Sequence, residues 1–113
     1  MDKVHITNLI SETIRSKNAN TEIILFGSQA RENSNPDSDW DILILLEMPT
    51  VSRFLEKDYK DALYNVELEI GQPISTFVFS KADWEGKHKF TPFYNNIKRD
   101  GIYLAWTEIE KTI

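Results

Sequence analysis

Residues 40–46, Trp-Asp-Ile-Leu-Ile-Leu-Leu, constrain the fold more than any other stretch of the chain. Apart from Asp41 the run is apolar without alternation, the pattern of an interior strand rather than of one with a wet face. Ile23-Ile24-Leu25-Phe26 reads the same way and is closed by Gly27, while the longer run is closed by Met48-Pro49. Between them, Ser28 to Glu32 has the composition of a short helix. Asn33-Ser34-Asn35-Pro36-Asp37-Ser38 then holds nearly every turn-forming residue type and reads as a loop that returns the chain to the sheet.

The flanking segments supply the helices. From Val4 to Ile14, apolar residues at Ile6, Leu9, Ile10 and Ile14 keep the rhythm of a helix with one buried face, ended by Asn18-Ala19-Asn20. Leu55, Tyr59, Ala62, Leu63 and Val66 fall on one face of a second helix that Gly71 and Pro73 stop. Ile74 to Phe79 is the third strand. Ser80-Lys81-Ala82-Asp83 has the form of an N-terminal capping box, and Thr91-Pro92 places a cap before a proline at the first helical position, so two more helices are expected, the last ended by Asp100-Gly101. Ile102-Tyr103-Leu104 adds a short edge strand, with Ala105 to Ile113 as a tail. No repeat, low-complexity tract or linker interrupts 113 residues, so one domain over 1–113 is expected. The pattern predicts an α+β fold in which a mixed sheet carries helices mainly on one face.

Composition narrows the chemistry. No apolar run is long enough to cross a bilayer, and the first residues lack the unbroken apolar centre of a signal peptide, which makes the cytoplasm the expected location. Zero cysteines exclude thiolate metal sites, and His5 and His88 lie too far apart for a ligand pair, so zinc is not expected. A metal here has to be a hard cation such as Mg²⁺, held by carboxylates. A net charge of −5 argues against nonspecific nucleic-acid binding.

The informative stretch is Leu25-Phe26-Gly27-Ser28-Gln29-Ala30-Arg31, the loop, and then Ser38-Asp39-Trp40-Asp41. Without a Cβ, Gly27 lets the backbone turn sharply after the strand and approach a ligand, and Ser28 opens a helix whose free N–H groups attract phosphate. Asp39 and Asp41, two apart at a strand start, project from one face while Trp40 points to the other, so the pair can share one or two Mg²⁺. Such ions would bridge the oxygens of a nucleoside triphosphate and hold its α-phosphorus in line with an attacking oxygen. Arg31, one turn into the helix, offers a forked phosphate donor; a salt bridge near Glu32 or to Asp37 explains it equally well. The motif is not a Walker loop, since it lacks the Gly-Lys-Ser/Thr ending.

Gly27-Ser28-x-x-Arg31 followed by Ser38-Asp39-x-Asp41 resembles the signature of the DNA polymerase beta-like nucleotidyltransferases, in particular the small MNT proteins often encoded beside HEPN-domain partners. Ile74 to Phe79 and the closing Lys98-Arg99-Asp100-Gly101-Ile102-Tyr103 are similar to that group as well. The resemblance implies the polymerase beta-like fold, ATP or another NTP as donor, Mg²⁺ as cofactor and transfer of a nucleoside monophosphate to a hydroxyl. It also implies a HEPN-type protein partner or a homo-oligomer, as in a toxin–antitoxin pair where some relatives adenylylate a tyrosine of the toxin. Fully active family members usually carry a third acidic residue on the strand after the middle helix; here Pro73-Ile74-Ser75-Thr76-Phe77-Val78 supplies Ser75 or Thr76. A hydroxyl cannot act as a carboxylate base, which opens the alternative of a weak or inactive domain that binds nucleotide or partner. Glu67 and Glu69 are the candidate substitutes, weighed against ordinary solvated carboxylates near a helix end.

Plainer readings stand beside these. An isolated Gly-Ser is usually a strand-to-helix turn with a serine cap. Asp39 alone would be a turn residue, but Asp41 adjoins an apolar strand where an unpaired charge is costly. Asp37 reads as a loop residue and His88 as a surface histidine. The aromatics of the last third, Trp84, Phe90, Phe93, Tyr94, Tyr103 and Trp106, fit either core with an exposed rim or an interface.

Overall fold

The computed structural model describes residues 2–31 and 37–104. The elements run α1 (Lys3–Arg15), β1 (Glu22–Phe26), a one-turn 3-10 helix (Gly27–Ala30), β2 (Trp40–Leu46), α2 (Arg53–Ile70), β3 (Ile74–Ser80), α3 (Lys81–Glu85), α4 (Pro92–Asp100) and β4 (Ile102–Tyr103). Each α-helix starts on a side-chain cap: Asp2, Ser52, Ser80 and Thr91 each accept from a backbone N–H three residues on. α2 stops at Gly71, whose φ of 71° is the left-handed conformation that glycine adopts without strain.

The four strands form a mixed sheet in the order β3-β2-β1-β4. β1 pairs antiparallel with both β2 and β4, and the α2 crossover sets β3 parallel to β2. β2 is therefore interior, and the absence of alternation in its sequence has a structural cause. Ile42, Ile44 and Leu46 pack with Ile6, Ile10 and Ile14 of α1 and Tyr59, Leu63 and Val66 of α2, while Leu43 and Leu45 pack with Trp84 of α3 and Tyr94 and Ile97 of α4. Each such aliphatic side chain removed from water contributes about 1.5–3 kcal/mol before chain entropy is counted. The two long helices share one face, and the two short ones cover the other.

The aromatics of the last third divide between both roles. Trp84 and Tyr94 are buried, Phe93 packs edge-on against Trp84, and Phe90 and Tyr103 are exposed. Trp106 and the tail from Ala105 lie outside the described residues, as does the loop from Glu32 to Pro36. No helix among the described residues is long and apolar enough to cross a membrane.

Candidate active site

The turn after β1 brings the two halves of the motif together. Phe26 is the register partner of Asp41 in the β1–β2 pair, so Gly27 follows β1 at the level where Asp39 enters β2. Gly27 has φ 73°, and a Cβ built on it would lie 2.1 Å from Oδ2 of Asp41. The missing side chain is what admits the Asp41 carboxylate against the bend. Gln29, buried in the 3-10 turn, donates from Nε2 to the Ser38 carbonyl at 3.0 Å and clamps the returning chain beside that bend. Its importance is invisible in the motif, because only the closed turn shows what its amide reaches.

The start of β2 is fixed on its other side as well. Trp40 turns into the α1/α2 core, its backbone N–H donates to the Pro73 carbonyl at 2.9 Å and its indole Nε1 donates to Gln72 at 2.7 Å. With Trp40 anchored there, strand alternation sends Asp41 to the opposite face. Asp41 is half-buried and Asp39 exposed. Burial pushes the Asp41 carboxyl above the usual carboxylate range, and the nearby Asp39 charge pushes it further. Among the described residues neither aspartate forms an ion pair with Lys or Arg. Two carboxylates that repel each other, one partly desolvated, suit a divalent cation. No third His, Cys, Asp or Glu joins them among the described residues. The donor set therefore fits Mg²⁺ that takes its remaining ligands from water and phosphate.

Three expectations change in detail. The helix expected over Ser28 to Glu32 is a single 3-10 turn over Gly27–Ala30, too short to build a macrodipole; what it offers is the first N–H groups of the turn, which no carbonyl within the turn can accept. Arg31 accordingly lies past that turn in extended conformation, φ −102° and ψ 153°, rather than one turn into a helix. Arg31 also has an acid beyond its own loop, since its charge reaches the Asp100 carboxylate of α4.

The place of the third carboxylate is also defined. β3 lies parallel to β2 with Ser75 opposite Asp41. Phe77 and Phe79, the alternate residues beyond Ser75, pack against Phe93 and Trp84 on the α3/α4 side, whereas Ile74 and Val78 belong to the α1/α2 core. Alternation thus puts Ser75, not Thr76, on the face of Asp41. Glu67 does not replace it: its Oε1 accepts from the Ile74 backbone N–H at 2.7 Å, tying the end of α2 to the start of β3, and Glu69 is exposed on the same helix.

A wall of the site comes from α4. A hollow of about 210 Å³ opens beside Gly27 and Arg31 and is lined across the gap by Phe93, Asn96, Ile97 and Asp100, which share one helical face, together with Arg99. Arg99 donates from Nη2 to Asn96 Oδ1 at 3.3 Å and to Asp100 Oδ2 at 3.1 Å. Its hydrogen bonds and charge, with Arg31 adding to them, hold the Asp100 carboxyl below the usual range. On its far side α4 is braced by Tyr94, whose hydroxyl donates to Glu85 of α3 at 2.7 Å. A wider depression of about 460 Å³, lined by Arg15, Glu22 and Glu47 among others, lies at the other end of β1, away from the Asp39–Asp41 pair.

A family model described as nucleotidyltransferase domain matches residues 8–104. The chain belongs to that family. Two solved structures share the fold, each with a TM-score of 0.62 and each alignment covering 94% of this chain and 77% of the other. One, 17% identical, is a toxin–antitoxin with AMP-PNP; the other, 16% identical, is the toxin–antitoxin MntA-HpeT carrying two aspartate-to-glutamate changes. No curated protein sequence matches the chain significantly. This nucleotidyltransferase domain thus shares its overall fold with those two structures.

Proposed function

We propose that this protein transfers the nucleoside monophosphate of Mg·NTP, AMP from ATP, to a hydroxyl of a protein partner, and that it serves as the antitoxin of a HEPN-type toxin. The observation that carries this reading is the meeting of the Asp39–Asp41 pair with the Gly27 bend. In the step itself a bond forms between the acceptor oxygen and the α-phosphorus. The bond from that phosphorus to the bridging oxygen breaks, and pyrophosphate leaves with the electron pair. The acceptor's proton passes to water or to a base supplied with the acceptor. When bound, Mg²⁺ neutralises charge developing on the leaving pyrophosphate. Asp39 and Asp41 would hold the metal, the amides of Gly27 and Ser28 would take phosphate oxygens, and Arg31 would reach the polyphosphate from the rim. A partner is favoured because both structural neighbours are toxin–antitoxin assemblies and because Phe54, Tyr64 and Leu68 stand exposed along α2. The reading places the reaction in the cytoplasm, where Mg·ATP is available.

The test is incubation with α-labelled ATP, Mg²⁺ and the product of the neighbouring gene. Label is expected on the partner and is expected to fall on the order of 10³-fold in Asp39→Asn/Asp41→Asn, as loss of metal-assisted charge stabilisation predicts. Label that persists in the double variant would sink the assignment. A second reading, a weak or inactive domain that binds its partner without transfer, is favoured by Ser75 standing opposite Asp41 where a base is needed. Binding of the partner with no label, and label appearing in Ser75→Asp, would decide for it.

A further inference from the structure

We propose that the outer face of α2 is the contact of a homodimer, in which α2 of a second copy lies antiparallel across it. α2 buries Tyr59, Leu63 and Val66 on its inner face, in the core it shares with α1 and β2. Phe54, Lys57, Asp61, Tyr64 and Leu68 follow one another at spacings of three and four in turn, the rhythm of one continuous seam along a helix. In the same rhythm Tyr59 and Val66 fall opposite that seam, so the seam points straight away from the chain's own core. Its apolar members stay in water, Phe54 at 84% exposed, Leu68 at 64% and Tyr64 at 56%. Apolar side chains grouped in this way on a helix whose other face is already buried mark a surface that something covers.

The charges on the seam select both the occupant and its direction. Lys57 and Asp61 lie between the apolar ends and pair with each other at 2.6 Å, with both side chains well exposed. Let two copies interlock antiparallel about a two-fold axis midway between these residues. Lys57 then meets Asp61 of the second copy, Asp61 meets its Lys57, and Phe54 and Tyr64 meet Tyr64 and Phe54 at the two ends. Two ion pairs are thus enclosed by two aromatic pairs. A parallel pair would instead set Lys57 on Lys57 and Asp61 on Asp61, so the residues that favour one direction oppose the other. Asp58 and Lys60 flank the seam at the rim, each near its own counterpart, where water screens the repulsion. A surface that complements itself in charge and in apolar ends is what an isologous contact requires. The Asp39–Asp41 pair opens on the opposite face of the sheet, toward α3 and α4, so the contact leaves both sites open. The inference does not rest on nucleotidyl transfer, and it gives the exposed side chains of α2 to a copy of the same chain.

Sedimentation equilibrium of the full chain between about 1 and 300 µM tests this. A contact of about three helical turns is at the small end of specific interfaces, so a dimer is expected with a dissociation constant on the order of 10 µM. Lys57→Glu and Asp61→Lys reverse charges at exposed helix positions, and circular dichroism is expected to show the parent fold in both. Each variant alone sets like charges together twice and should weaken self-association at least about 10-fold. Mixed in equal amounts, the two regain opposite charges at both contacts and should associate with each other within about 3-fold of the parent. Phe54→Ser, which removes both aromatic pairs, should weaken the dimer at least about 10-fold. A parent that stays monomeric throughout, or a dimer indifferent to either reversal, overturns the proposal. So does a mixture that fails to associate, because only this register predicts the rescue. A monomeric parent whose variants lose the product of the neighbouring gene overturns it as well, and gives the face to that protein.

Discussion

Along β2, Ile42, Ile44 and Leu46 face the long helices, while Asp41, Leu43 and Leu45 face the short ones. On the first face α1 and α2 cover the strands, and Trp40 extends the buried layer to the beginning of β2. On the second face α3 and α4 are shorter, the packing is aromatic, and cover runs out at Asp41, where the hollow beside Gly27 begins. One strand therefore serves both as core and as site floor. The difference is made by helix length: a carboxylate is tolerated on β2 only where the covering layer stops and water or a cation can reach it.

That contrast can be broken in order of expected effect. Leu63→Ala opens the dry face, where Leu63 is fully buried, and should lower unfolding free energy by about 2–5 kcal/mol in denaturant titration. Mg·ATP affinity of the folded fraction should not change; if it drops as far as stability does, the two faces are not separate in function. Gly27→Ala and Gly71→Ala make a matched pair, since both glycines have φ near +70° and each alanine should cost about 1–2 kcal/mol of backbone strain. An added Cβ at Gly71 meets nothing within 4 Å, whereas at Gly27 it collides with the Asp41 carboxylate and has to turn it away. Only Gly27→Ala should therefore lose Mg-dependent nucleotide binding, by at least about 10-fold in calorimetry, and equal loss in both would contradict the role given to the bend.

The smallest effect is a dependence on pH. Burial, with the Asp39 charge beside it, raises the Asp41 carboxyl of the folded state above its ordinary value, so between those two values the folded state holds more protons than the unfolded one. Stability from this group is thus highest in acid and declines as pH rises through the folded value. In metal-free buffer, the melting temperature of Asp41→Asn relative to the parent should climb across that interval and then level off, and added Mg²⁺ at neutral pH should help the parent and not the variant. A difference curve that is flat, or that slopes the other way, would remove the burial-driven rise of the Asp41 carboxyl, and the Asp39 repulsion that adds to it, from the account.

Local chemistry made much of this protein legible as a string of residues. Caps at Ser80 and Thr91, the glycine stop at Gly71 and the apolar runs of β1 and β2 are decided within a few positions by turn geometry and side-chain period. So was the proximity of Gly27 to the aspartates, because a strand, a tight return and a second strand leave little freedom in how their ends meet. Tertiary structure alone decided that Ser75 rather than Thr76 faces Asp41, that Glu67 ties α2 to β3, that Gln29 clamps the bend, and that α4 walls the hollow with Asn96 and Asp100. Each of these depends on strand register or on a helix that returns across the sheet after dozens of residues. Such contacts arise from packing between distant segments, which no short pattern encodes.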